Sequence, residues 1–185
     1  TELKRTIHVV DTTIPLLKLL GDAELTIEVK ATYVDEGVEV TDNYDTNVLI
    51  LTNNPLNPNL PGEYTITYTA KDSSGNEAVA VTRKVTVVDT TAPVITLVGE
   101  TEVTHEAGSE YKDAGATVAD NLDTELVATV VNPVDTGKLG EYTITYNVSD
   151  AAGNAATEVT RKVTVVDTTG PVITLAGEPV VTIEV

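Results

Sequence analysis

The strings Asp11-Thr12-Thr13-Ile14-Pro15, Asp89-Thr90-Thr91-Ala92-Pro93 and Asp167-Thr168-Thr169-Gly170-Pro171 recur at a period of 78 in a chain of 185 residues. Aligning 11–88 with 89–166 needs no gap and gives 38 identities in 78 positions. Solenoid units run to roughly 20–50 residues and cannot bury a face alone, so this longer period fits a module with its own core. The expected organisation is a tandem array: repeat 1 at 11–88 and repeat 2 at 89–166. Residues 1–10 align with the end of a module and read as the last strand of a preceding repeat. Residues 167–185 read as the first strands of a following one. Such orphan strands are expected to pair head to tail with another copy, because first and last strands are neighbours in a sandwich. The chain reads as a piece of a longer protein.

Within a repeat the strands are legible. Tyr64, Ile66, Tyr68 and Ala70 alternate with Thr65, Thr67 and Thr69, and Val85 and Val87 alternate with Lys84 and Thr86. This period of two is that of a sheet with one face on a core. Thr (32 residues) and Val (29) supply a third of the chain, and β-branched side chains suit a pleated surface better than a helix. Ser73-Ser74-Gly75-Asn76 and Ala151-Ala152-Gly153-Asn154 have the chemistry of hairpin turns. In repeat 2 strands are expected at 94–97, 102–106, 115–119, 126–132, 141–149 and 155–166. Six to seven antiparallel strands in each repeat predict an all-β fold: tandem immunoglobulin-like β-sandwiches in an elongated array. Tyr is the only aromatic, so the cores should be Val, Ile and Leu around Tyr68 and Tyr146.

Charge and missing residues exclude several classes. With 29 acidic and 11 basic side chains the formal charge is −18, which opposes binding to a phosphate backbone and rules out nucleic acid as a partner. No apolar run approaches the roughly 18–20 residues of a membrane-spanning helix, so no membrane insertion is expected, and no basic segment followed by an apolar stretch marks a signal peptide. The absence of Cys removes disulfides, Cys-ligated zinc, iron–sulfur clusters and thiol nucleophiles.

The set Asp89 to Leu97, Tyr111-Lys112-Asp113-Ala114-Gly115-Ala116, Asp120-Asn121-Leu122-Asp123, Gly140 to Tyr146 and Asp150-Ala151-Ala152-Gly153-Asn154, closed by Val-Thr-Val-Val-Asp, resembles the immunoglobulin-like repeats of bacterial surface proteins. Those repeats are akin to the hyalin-type repeats of extracellular proteins. The similarity covers the whole chain. It implies an extracellular location, at a bacterial cell surface or in a secreted protein, and a role as stalk or spacer in an adhesin. Two departures stand out. Thr46 and Thr124 follow the second Asp of the Asp-Asn-x-Asp loop, where the family often has Gly. Lys30 stands where repeat 2 has Gly108. Wider turns are expected at these points.

Topology makes a sharper statement. In a sandwich of this kind the chain enters at the pole to which the B–C and F–G loops return. In repeat 1 this gathers Asp11 with Asp42, Asn43 and Asp45 and with Asp72 and Asn76. In repeat 2 it gathers Asp89 with Asp120, Asn121 and Asp123 and with Asp150 and Asn154. Carboxylates and amide carbonyls are the hard oxygen ligands that Ca²⁺ takes in sets of six to eight, so a Ca²⁺ clasp at each interdomain joint is the candidate function of these residues. The alternative is plain turn chemistry, since Asp and Asn cap loops with their own side chains. No loop has the EF-hand spacing.

Other candidates are weak. His8 and His105 align with Thr86 and Ile27 and do not recur. Tyr44 could stack on a sugar, yet its counterpart is Leu122. The Asn147-Val148-Ser149 sequon lies in mid-strand. Paired carboxylates without a cleft or aromatic platform make no glycosidase, and no catalytic constellation exists, so the chain is not expected to be an enzyme. Lys84 and Lys162 are expected to pair with the acidic surface. The expected function is that of structural spacer repeats, whose partners are neighbouring repeats of the same chain; the alternative is a glycan-binding or homophilic cell-adhesion module.

Overall fold

The computed structural model describes residues 2–177 and 179–184 and contains strands and no helix among them. The chain divides into two compact units, Thr1–Thr90 and Thr91–Val185. Among the described residues each unit holds six strands. The first has β1 (Leu16–Leu19), β2 (Glu24–Glu28), β3 (Val38–Thr41), β4 (Leu49–Asn53), β5 (Gly62–Lys71) and β6 (Val81–Val88). The second repeats them as β7 (Val94–Leu97), β8 (Glu102–Glu106), β9 (Ala116–Ala119), β10 (Thr129–Val131), β11 (Gly140–Asn147) and β12 (Val159–Val166).

In the first unit a four-stranded sheet of order β2-β6-β5-β4 faces a two-stranded sheet of β1 and β3. The second unit has the same arrangement, β8-β12-β11-β10 with β7 and β9. These are the expected immunoglobulin-like sandwiches, with one correction to the strand pairing. The pairs β2 with β6 and β8 with β12 are parallel rather than antiparallel. The cause lies between β1 and β2, where the chain leaves one sheet for the other through Gly21 at φ +68°. Glycine takes this left-handed conformation without the cost that a Cβ would bring. The strand that follows runs alongside the last one.

Each core is built from inward alternate residues: Leu17, Ile66, Tyr68, Ala70 and Val85 in the first unit, and Ile95, Ile144, Tyr146 and Val163 in the second. Ile66, Val85, Ile144 and Val163 are fully enclosed, each contributing roughly 1.5–3 kcal/mol of transfer free energy. At the start of β5 the Tyr64 hydroxyl donates to Leu60 O at 2.8 Å, and Tyr142 repeats this with Lys138 O at 2.8 Å. This is the tyrosine corner that pins the strand entry in sandwiches of this class.

Three local expectations change. The strand expected at 126–132 shrinks to β10, and the one expected at 155–166 begins at Val159 after an isolated bridge between Ser149 and Ala155. Lys30 does not widen its turn: it takes the left-handed conformation, φ 64°, of its counterpart Gly108, φ 76°. Residues 2–10 and 167–177 form no strand.

Candidate metal centre

The β3–β4 and β5–β6 loops lie at one end of the first sandwich, and the segment entering β1 runs beside them. Each loop is held by an aspartate in the manner of a turn former. Asp42 Oδ2 accepts from the N–H groups of Tyr44 and Asp45, at 2.8 and 2.9 Å. Asp72 accepts from Asn76 N and Nδ2, both at 2.7 Å, which closes the 72–76 turn around Gly75. Asp45 ties the loops together, its carboxylate accepting from Ser73 N and Oγ at 2.9 Å. The entering segment is joined to them by Asn76 Nδ2, which donates to Asp11 O at 3.3 Å.

These bonds leave one oxygen each of Asp11, Asp42, Asp45 and Asp72 within 4.8 Å of one another. Asp11 Oδ2 and Asp42 Oδ1 are buried and accept no hydrogen bond from the described residues. Like charges at such separations repel, the more so where solvent is kept from between them. Burial alone would raise the Asp72 carboxyl, but the side-chain and backbone N–H of Asn76, with those of Gly75 and Ser74, outweigh it and hold the group below its ordinary value. It therefore stays ionised beside three other carboxylates. A span of 4.8 Å is that of opposite oxygens around one Ca²⁺, whose ligands sit at about 2.3–2.6 Å.

Of the six residues expected at this pole, Asp11, Asp42, Asp45 and Asp72 converge. Asn76 braces them with its amide nitrogen, and Asn43 is exposed on the rim of an open depression that Asp11, Tyr44 and Ser74 also line. In the second unit the loop bonds recur: Asp120 Oδ2 accepts from Leu122 N and Asp123 N, Asp123 Oδ2 accepts from Ala151 N, and Asp150 accepts from Asn154 N and Nδ2. Asn121 sits half-buried in the first of these loops. Asp89 follows directly on β6 and is counted with the first unit.

A second constellation escaped the sequence reading. Arg83, 2% exposed, reaches across the core. Its Nη1 pairs with Asp35, its Nε donates to Asp22 O at 2.9 Å, and its Nη2 donates to Leu20 O. Arg161, 1% exposed, does the same with Asp113, Glu100 O at 2.9 Å and Val98 O. The guanidinium thus clasps the corner at which the first strand changes sheet. A signal was present: Arg83 shares the inward parity of Val81, Val85 and Val87, and it returns at Arg161. The neighbouring lysines behave as expected, Lys84 pairing with Glu63 at 2.7 Å and Lys162 with Glu141 at 2.6 Å on the surface.

Residues 17–87 and 95–165 match the family described as bacterial surface protein, Ig-like domain. The chain belongs to this family. The two matched segments coincide with the two sandwiches. The Ig-like modules are also 34% identical over 190 aligned residues, 95% of the chain, to Hyalin of Lytechinus variegatus, and 37% identical over 189, 93% of the chain, to Hyalin of Strongylocentrotus purpuratus. The chain spans 36% of the length of the first and 15% of the second. Among solved structures, Drosophila N-cadherin EC1-3 superposes with a TM-score of 0.32 at 12% identity, covering 84% of this chain and 68% of that one. That likeness is too loose for any residue to be carried across.

Proposed function

We propose that the two Ig-like modules are non-catalytic spacers of an extracellular surface protein, and that Ca²⁺ binds at Asp11, Asp42, Asp45 and Asp72. Membership of a surface-protein family supports the location and the structural role. The observation that carries the metal is the pair of buried oxygens, Asp11 Oδ2 and Asp42 Oδ1, turned toward two further carboxylates and accepting no hydrogen bond from the described residues. Buried carboxylate oxygens are rarely left so, because each costs its desolvation in full. A divalent cation would satisfy both and relieve the repulsion among four charges.

Its consequence would be mechanical. The entering segment would be fastened to the β3–β4 and β5–β6 loops through a common ion, which restricts how residues ahead of β1 move. The test is calorimetric titration of Ca²⁺ into the chelated protein, with Asp42→Asn and Asp11→Asn as variants. Binding heat and a higher melting temperature in the parent, both reduced at least tenfold in affinity by either variant, are expected. No heat and no change in melting temperature would remove the metal and leave the four aspartates as turn formers.

A further inference from the structure

Residues 46–62 contain no Lys, Arg, Asp, Glu or His, and this run of 17 is the longest uncharged stretch of the chain. It contains β4, the outer strand of the sheet β2-β6-β5-β4. One side of β4 pairs with β5, from Leu49 opposite Lys71 to Asn53 opposite Thr67, and no described strand lies on the other. Of its outward residues Leu49, Leu51 and Asn53, the two leucines are 64% and 57% exposed. Natural sheets protect an open edge with charge, proline, a bulge or a cover. β4 has no charge and no proline, and it is the one strand of the first unit without a charged residue.

The other edge of the same sheet is protected. β2 carries Glu24 and Glu28 at its two ends, and self-pairing about Thr26 would set them opposite each other. Its counterpart in the second unit, β10, is also uncharged but only three residues long, and the equivalent stretch 124–140 includes Glu125, Asp135 and Lys138. In a chain of net charge −18, β4 is therefore an edge that a second copy can meet without opposing carboxylates.

We propose that β4 is a self-association edge, at which the β4 strands of two copies pair antiparallel about a two-fold axis at Ile50. This register sets Ile50 opposite itself, Leu49 opposite Leu51, Val48 opposite Thr52 and Asn47 opposite Asn53. Every pair i with j recurs as j with i, as an isologous contact requires, and no position sets one charge against another. Leu49 and Leu51 of both copies form one outward apolar cluster, and the two four-stranded sheets become one of eight. Seven residues a side make a contact smaller than a standard interface, so a single pair is weak, with a dissociation constant on the order of 10 μM to 1 mM. Several such edges in a surface array would add by avidity. This inference does not depend on Ca²⁺ binding.

Sedimentation equilibrium of the 185-residue chain in chelator, up to about 1 mM, tests it. A monomer–dimer equilibrium is expected, weakened at least tenfold by Leu51→Lys. Leu51 is more than half exposed, so that variant should keep its melting temperature, whereas Leu60→Lys, outside the strand, should keep the association. The chain has no cysteine, so Ile50→Cys should give a disulfide-linked dimer on mild oxidation and Leu60→Cys should not. A monomer throughout the range, or a dimer unaffected by Leu51→Lys, would overturn the proposal. A Leu51-dependent dimer that Ile50→Cys does not cross-link would overturn the register.

Discussion

The Tyr68 hydroxyl lies 2.6 Å from each carboxylate oxygen of Asp35, 33 residues away, and the same carboxylate is paired with the guanidinium of Arg83. Tyr33 adds a fourth polar group, its hydroxyl donating to Asp35 at 3.2 Å. The cluster joins the β2–β3 connection, β5 and β6, and through Leu20 O and Asp22 O it also holds the sheet-changing corner. Removing Asp35 leaves a guanidinium enclosed without its counter-charge. Breaking a buried pair in this way costs about 3–5 kcal/mol, and the 21% exposure of the Asp35 side chain places it toward the lower figure. Asp35→Ala is expected to destabilise the first module by about 3 kcal/mol. Urea unfolding should show one transition shifted to lower denaturant and the other, from the second module, unchanged. Two unshifted transitions would show that the cluster adds nothing to stability.

The same clusters set the pH range of stability. Burial would raise the carboxyls of Asp35 and Asp113, but the tyrosine hydroxyl, the arginine and the N–H of Gly37 or Gly115 outweigh it and lower both. A carboxyl that binds its proton more weakly when folded stabilises the fold above its unfolded value, near 3.8, and loses that contribution as pH falls through the lower folded value. At the other end, burial and the bond to Asp113 push Tyr146 up to about 12 from an ordinary 10.0, and Tyr68 is raised for the same reasons. The unfolded tyrosines ionise first, so stability is held below pH 10 and declines from 10 toward 12. Melting temperature against pH should fall at both ends. Tyr68→Phe with Tyr146→Phe should flatten the alkaline limb and make the acid limb shallower without removing it, because the arginine and the glycine N–H still lower both carboxyls.

Lys30 holds a left-handed backbone at φ 64° while its N–H donates to Pro58 O at 2.7 Å, and Gly108 does the same toward Thr136 O at 2.9 Å. A side chain in that conformation costs about 1–2 kcal/mol, which glycine avoids. Lys30→Gly is expected to stabilise the first module by about 1 kcal/mol. The reverse change, Gly108→Lys, should cost the second module a similar amount, because a Cβ there meets no atom within 4 Å and the penalty is backbone alone. Thermal unfolding of the two variants should move the two module transitions in opposite directions.

What the sequence made legible was local or periodic. Tyr64 to Ala70 and Val81 to Val88 alternate over whole strands, and two loops rich in Asp and Asn at fixed places in a known topology were enough to gather Asp11, Asp42, Asp45 and Asp72. The illegible features rest on contacts far apart in sequence. β1 and β2 are 4 and 5 residues long, too short for periodicity to show that one belongs to each sheet. Asp35 precedes a glycine-containing stretch and reads as a turn former, and nothing nearby says that Arg83 waits for it 48 residues later. Lys30 looked like a break in the repeat because the backbone requirement at that site is met at a cost that sequence comparison does not show.

The segments that leave each sandwich are also held by a distant residue. Glu106, at the end of β8, accepts from Thr168 N at 2.9 Å and Oγ1 at 2.7 Å, and from Thr169 N at 3.2 Å and Oγ1 at 2.9 Å. Glu28 holds Thr90 in the first unit through its N–H at 2.9 Å and its Oγ1 at 2.8 Å. The bonds from Thr168 and Thr169 outweigh burial and hold the Glu106 carboxyl below its ordinary value, so the acceptor stays charged at neutral pH. Water competes for each of these exposed bonds, but four of them converge on one charged acceptor and must break together before the segment opens. Glu106→Ala is therefore expected to speed amide hydrogen exchange at Thr168 and Thr169 by at least about tenfold while β11 and β12 keep their protection. Unchanged exchange at those two amides would mean that the exit segment is ordered by something other than Glu106.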